Sequence, residues 1–507
     1  MNRWQAIGAC IATSIAVASL APPALAGKAN DTLVFASDLE VDNIAPYYNN
    51  LREGLVITRH VWDTLVYRDP DSGTFVPMLA SSWKWVDPTT LEFVIRDGVT
   101  FHNGDPLTVD DVVFTFNFVV DPASKIVITG VDWMVGAEKV DDHTMRIKLK
   151  APFPAALSYV SGTLAIMPAK YLQRVGIEEF SKKPVGSGPY KVVSIDSSLG
   201  VKMEKFDGYW PGSPIGKPQI GKLEFRPIRD GDTRLAELLS GGIDWIWRVP
   251  VDQAEQLRAQ RGISVISSET MRTGTLVFDS LGRTDLSAPL KDPRVRQAIS
   301  HAIDRKSMVD SLVRGKSSML QSFCFPAQFG CAQDVHQYEY DVAKAKKLLA
   351  DAGCANGFDT EIWAYSDRDY VEAIIGYLRV VGIRVKLTYS QFPPMRAALW
   401  KGRIPILFLS WGSSSIFDVS AITSVFFRGS DDDQAKDAQL TSFLRAGDNA
   451  LEPAERLRQY TLGLQRIANE AFVLPLFSYS MNYAYTSDLD FRAYPDELPR
   501  FFQAKWK

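Results

Sequence analysis

The chain has 507 residues, too many for one ordinary hydrophobic core, so two or three domains are expected. Hydrophobic residues make up 46% and charged residues 23%, the balance of a globular protein rather than a disordered or fibrous one. A formal net charge of −3 gives no basic excess, which argues against a nucleic-acid partner.

Residues 1–26 read as an export signal. Arg3 supplies the positive start, residues 6–20 the apolar region, and Ala24-Leu25-Ala26 a cleavage site before Gly27. The apolar run is too short to span a bilayer comfortably. Cys10 ends an IGAC sequence like a lipoprotein box. Cleavage there would leave almost no apolar region, so a soluble mature chain from near Gly27 is expected.

Residues 31–36 predict a first strand, and 51–69 carry a helical pattern. Residues 90–96, TLEFVIR, are rich in β-branched and aromatic types and predict a strand. Asp97-Gly98 and Asn103-Gly104-Asp105-Pro106 are turn chemistry. His102 beside them reads as a turn residue, since a lone histidine lacks a catalytic partner. Thr108, three residues before Asp111, predicts a capped helix start, and Asp121-Pro122 its stop.

Residues 140–149 alternate like one strand. Residues 184–190, PVGSGPY, form a glycine turn before a strand at 191–195. A helix from Asp232 stops at Gly241-Gly242, and strands follow at 243–247 and 276–279. Asp292 and Pro293 open a helix with Val295, Ala298, Ile299 and Ala302 on one face; His301 falls off that stripe and reads as solvated. Gly315-Lys316-Ser317 is half a phosphate loop, but Asp310 stands where the pattern needs glycine.

Residues 340–353 predict a helix capped by Asp341. Strand 358–365, helix 369–381 and strand 383–389 follow, then a buried strand at 406–409 and a helix at 453–470. Strands at 472–479 and 483–485 precede an aromatic tail. Alternating helices and strands predict an α/β protein with a partly parallel sheet.

No nucleophile elbow, HExxH helix, dinucleotide glycine fingerprint or paired-cysteine metal site is present. Catalytic residues, metal ligands and cofactors are therefore all expected to be none. Cys324, Cys331 and Cys354 remain after the signal. The short CFPAQFGC spacing in an exported chain predicts a Cys324–Cys331 bridge; three separate thiols are the alternative.

Residues 82–117, SWKWVDPTTLEFVIRDGVTFHNGDPLTVDDVVFTFN, resemble the signature of the extracellular solute-binding proteins of family 5, the periplasmic dipeptide, oligopeptide and nickel receptors of ABC importers. PMLASSW, PVGSGPY, the R-x-x-x-L-x-S-G-x-I-D block and DPRVRQAISHAIDR continue the likeness. The resemblance implies a two-lobed periplasmic binding protein fold whose second lobe is hinged. The first lobe would span residues 27–278, with a subdomain inserted at about 66–185. The second would span 279–483, and the tail 484–507 would return to the first. It implies a small-molecule, peptide-like ligand, an inner-membrane permease partner and a monomer. Opines, metal chelates and short saccharides are the alternative solutes, and a secreted hydrolase the alternative class.

The loop after strand 406–409 is the expected ligand site: Trp411, Gly412, Ser413, Ser414, Ser415 and Asp418; a core Trp411 with the serines forming only a turn is the alternative. Small polar residues after a buried strand of an α/β sheet let a ligand approach the backbone. In the family's peptide receptors an aspartate three residues after the tryptophan grips the ligand's ammonium. Here that position is Ser414, so contact with this loop is expected to be mainly neutral hydrogen bonding. Arg368 lies where some dipeptide receptors bind a carboxylate; a surface pair with Asp367 or Asp369 is its alternative.

Overall fold

The structure, a computed structural model, describes residues 26–41, 43–49, 51–128, 130–196 and 200–507. The expected export signal thus lies almost wholly outside the described residues. Among the described residues no helix is long and apolar enough to cross a membrane.

Ten strands form one sheet through both lobes. Their spatial order is Arg384–Tyr389, Asp359–Ala364, Ile406–Trp411, Ile263–Phe278, Val473–Thr486, Trp245–Ile246, Thr32–Ser37, Lys222–Pro227, Gly200–Lys205 and Tyr190–Asp196. The two long central strands are antiparallel and cross between the lobes. Their first-lobe half pairs Ile263–Glu269 with Ser480–Thr486. Their second-lobe half carries Ile406–Trp411 on Thr273–Phe278. The register slips between Glu269 and Thr273. A bulge at that point bends the ladder where the lobes join.

The cores are separate. One collects Phe35, Ile57, Phe93, Phe116 and Trp245, and takes in Phe491, Leu498 and Phe501 from the C-terminal tail. Two others fill the second lobe around Phe278, Ile299 and Phe408, and around Leu409, Leu444 and Tyr460. A four-stranded antiparallel sheet, Ala80–Asp87, Thr90–Ile95, Thr144–Leu149 and Met134–Lys139, packs with the helix Val109–Val120 on the first lobe. That helix starts as its capping pattern predicts. Asp111 accepts from the Thr108 backbone N–H and hydroxyl, each at 2.9 Å.

Several expectations need correction. The pattern over 51–69 is the helix Arg52–Val61 followed by a short strand Val66–Arg68. Residues 140–149 are a turn and one arm of a hairpin. Asp141 accepts from the N–H groups of His143 and Thr144 and reverses the chain. The helix near Asp232 is capped by Asp230, which accepts from the Thr233 N–H at 2.8 Å. The strand at 276–279 is only the end of Ile263–Phe278, and the pieces 472–479 and 483–485 are one strand. His301 is buried, its Nδ1 2.6 Å from the Glu339 carbonyl and its ring edge-on to Tyr338.

His102 is more than a turn residue. Its Nε2 lies 3.0 Å from the Gly188 carbonyl and its Nδ1 accepts from the Gly186 N–H at 3.2 Å. Burial lowers its pKa to about 4, so the ring is a neutral tie between the FHNG and GSGPY segments. The bridge Cys324–Cys331 is formed, and Cys354 is free.

Candidate binding site

Strands Thr32–Ser37 and Trp245–Ile246 run parallel in the first lobe, and Asp359–Ala364 and Ile406–Trp411 run parallel in the second. Ligands of open α/β sheets bind beyond the carboxyl ends of such strands. Two cavities lie there.

The hinge-side cavity holds about 670 Å³. Arg248 enters it just past Trp245–Ile246, Tyr365 and Asp367 just past Asp359–Ala364, and Ser410 from the end of Ile406–Trp411. Arg272 and Tyr479 come from the crossing strands, and Glu497 from the tail. Arg272 donates to both Glu497 oxygens at 3.1 Å, and Arg52 meets the same carboxylate at 3.0 Å. Burial works against the Glu497 charge, yet the two guanidinium groups hold its pKa below the usual range. Arg248 uses one nitrogen for both Asp38 and Glu53, each at 2.8 Å, and lies over the Trp247 ring.

The outer cavity holds about 530 Å³ and is walled by aromatic rings from both lobes. Trp133 stacks on Phe153 at 5.4 Å, with Tyr159 beside them, and Trp411 faces them from the second lobe. Two buried polar atoms on these walls, Trp411 Nε1 and Arg428 Nε, have no hydrogen-bond partner among the described residues. Buried donors left bare are costly, so a ligand or water is needed to satisfy them.

The loop between the cavities is unusual in its backbone. Ser413, Ser414 and Ser415 all have positive φ, at 49°, 49° and 63°. Non-glycine residues held there cost roughly 1 kcal/mol or more each, and persist only where the surroundings enforce them. The enforcing contacts are visible. The Ser415 hydroxyl bonds Arg52 and donates to the Asp496 carbonyl at 2.7 Å, both in the first lobe. Gly412 lies against Arg52, Arg272 and Glu497; an added Cβ would sit 2.8 Å from the Arg52 guanidinium.

The expected site residues are thus dispersed. Trp411 and Ser414 line the outer cavity. Ser415 borders a small recess with Arg59 and Arg500, and Ser413 is buried. Asp418 borders neither large cavity: it is 2% exposed and paired with Arg456 at 2.9 Å. Arg368 is exposed and pairs with Glu372 one helical turn on, at 2.7 Å, rather than with Asp367 or Asp369. Sequence reading missed Arg248, Arg272, Asp367 and Glu497. The position of Arg248 and Asp367 just past parallel strands was the available signal. Nothing in the sequence ties Glu497 to Arg272, 225 residues away.

The chain is similar to proteins of known kind along most of its length. It is 26% identical over 428 residues to the glutathione-binding protein GsiB of Pectobacterium atrosepticum, covering 82% of this chain and 79% of that one. The solved structure of HbpA2 from Haemophilus parasuis superposes with a TM-score of 0.82 at 23% identity, covering 94% of this chain and all of the other. The dipeptide-binding protein from Pseudoalteromonas sp. SM9913 in complex with Met-Leu gives 0.78 at 21%, over 94% and 100%. Residues 74–434 match the family model of bacterial extracellular solute-binding proteins, family 5, middle. With its two lobes, two crossing strands and a cleft at the sheet's carboxyl ends, the chain belongs to the family 5 extracellular solute-binding proteins, the receptors of ABC importers.

Proposed function

We propose that this receptor is exported to the periplasm by residues 1–26, acts as a monomer, and closes on a peptide or peptide-like solute before docking on its permease. Residues 27–278 and 484–507 act as one lobe and residues 279–483 as the other. The observation that carries the ligand class is the pairing of a charged cavity with an aromatic one across a strained polar loop. Each volume lies in the range of small-molecule sites. A peptide presents charged termini, amide groups and side chains together, and these two walls suit that mixture. Trp411 and Ser414 contact the solute from the loop. Gly412, Ser413 and Ser415 shape the backbone there, and Asp418 supports it from behind through Arg456.

Glutathione, a γ-glutamyl tripeptide, is the first compound to test because relatives are named for binding it. Protein purified from its own host is unfolded and the released solute identified by mass spectrometry. A peptide or γ-glutamyl peptide is expected, and titration calorimetry with the pure compound gives its affinity. An opine, metal chelate or saccharide as the released solute overturns the peptide reading. Small-angle scattering is expected to show a smaller radius of gyration with the solute bound, since closure is a hinge motion.

A further inference from the structure

We propose that Asp367 and the tyrosines Tyr365, Tyr370 and Tyr479 form the anchor for a protonated amine in the hinge-side cavity. This names a determinant of the peptide reading above and rests on it. The charges lining that cavity are unequal: Arg248, Arg272 and Arg314 against Asp252, Asp367, Asp369 and Glu497. Each arginine is already paired. Arg248 holds Asp38 and Glu53, Arg272 holds Glu497, and Arg314 holds Asp252 and Glu255. Asp252 and Glu497 are thereby neutralised, and the surplus negative charge is at Asp367 and Asp369.

Asp367 is the better placed of the two. Asp369 is exposed on the first turn of the helix Arg368–Val380. Asp367 is partly buried at the mouth of the strand Asp359–Ala364, with φ at +56° turning the chain into that helix. Its Oδ2 accepts from the Tyr479 hydroxyl at 2.8 Å and from Ser366 Oγ at 2.6 Å. These neutral donors fix the carboxylate without cancelling its charge. No basic side chain forms an ion pair with it among the described residues, and its Oδ1 is left for a ligand.

The tyrosines complete the environment. Tyr370 lies 6.3 Å from Tyr479, ring to ring, and packs on Phe477. Tyr365 is held by its hydroxyl on the Ser410 carbonyl at 2.7 Å and by the edge of Phe392. A cation placed over the face of a tyrosine ring is favoured, and lobe closure strengthens the carboxylate's pull by excluding water. The loop after Ile406–Trp411 carries neutral Ser414 and an Asp418 cancelled by Arg456, so this loop supplies no competing anion.

The test uses the mature protein in equilibrium dialysis against a pool of free di- to tetrapeptides with glutathione. A parallel dialysis uses the same pool N-acetylated, and retained compounds are read by mass spectrometry. Wild type is expected to concentrate members of the free pool, with at least tenfold lower retention after acetylation. Asp367→Asn, whose side chain still accepts from Tyr479, is expected to lose the free pool to the same degree. The acetylation comparison on wild type stands even if the variant folds poorly, and circular dichroism checks the variant. Equal retention of both pools by wild type, or undiminished retention by a folded Asp367→Asn protein, overturns the anchor and leaves the peptide receptor standing. Retention of neither pool by wild type overturns the peptide reading and the anchor with it.

Discussion

Arg272 and Glu497 join the hinge to the C-terminal tail through two parallel hydrogen bonds of 3.1 Å. Arg272 sits where the crossing strands slip register, and Glu497 is 2% exposed between the lobes. The Met271 N–H donates to the Pro495 carbonyl at 2.8 Å beside them. The tail is therefore part of the hinge rather than a loose end.

Glu497→Gln leaves Arg272 and Arg52 without their shared counter-ion. Breaking a buried pair from one side costs about 3 kcal/mol or more, because the remaining charge stays desolvated. Thermal unfolding followed by circular dichroism is expected to move down by several degrees. An unchanged midpoint contradicts a structural role for the pair.

Asp63 gives a pH signature. It is buried, and burial pushes its pKa up to about 7, although Trp210, Tyr209 and Ser187 donate to it and pull the other way. In the unfolded chain an aspartate ionises near about 3.9. Between those values the folded protein holds a proton that the unfolded chain has lost. Stability from this group therefore falls as pH rises through that window, by up to about 4 kcal/mol in all. Asp63→Asn removes the term, so its midpoint relative to wild type is expected to rise from about pH 4 to about pH 7. His60, lowered to about 4 by burial, acts in the opposite sense but is common to both proteins and cancels in the difference. A constant offset across the range refutes the assignment.

How much of this was legible in the sequence depends on range. Caps and turns are local, so Thr108 with Asp111 and Asp292 with Pro293 marked their helices correctly. The α/β alternation survived for the same reason. The crossing strands did not read as single units, because polar residues such as Ser267, Ser268, Ser478 and Ser480 interrupt their apolar runs. Those positions lie around the point where the two strands cross between the lobes, where a strand need not be apolar. The site was legible only as one loop. Arg248, Asp367 and Glu497 come from three distant segments, and only the folded sheet brings them to one cavity.

The disulfide-closed loop braces the 416–419 segment. The Gln328 amide donates to the carbonyls of Ile416 at 3.0 Å and Asp418 at 3.2 Å, while Phe329 exchanges backbone bonds with Phe417 and Val419. Denatured chain beginning at Gly27 is expected to show one reactive thiol without reductant and three after reduction. Closing so short a loop contributes about 2 kcal/mol. Replacing Cys324 and Cys331 together by serine is expected to remove that and to weaken solute binding, since the 416–419 segment loses its support. Three thiols before reduction excludes the bridge.

Trp411 and Asp418 are expected to separate binding from support within one loop. Trp411 walls the outer cavity and meets Phe426 edge-on at 5.4 Å. Stacking of a ligand group on such a face contributes about 1 kcal/mol, and its buried area adds to that. Trp411→Ala is expected to lower affinity for the released solute roughly tenfold, about 1.4 kcal/mol. Asp418 instead faces Arg456, which also bonds Tyr460 at 3.0 Å and the Gly447 carbonyl at 3.1 Å. Asp418→Asn leaves a buried guanidinium unpaired and is expected to cost about 3 kcal/mol of stability. Its affinity, measured by calorimetry well below the unfolding midpoint, is expected to change less than that of Trp411→Ala. Affinity abolished in a folded Asp418→Asn protein would put that carboxylate in contact with the solute. Affinity unchanged in Trp411→Ala would remove the outer cavity from the site.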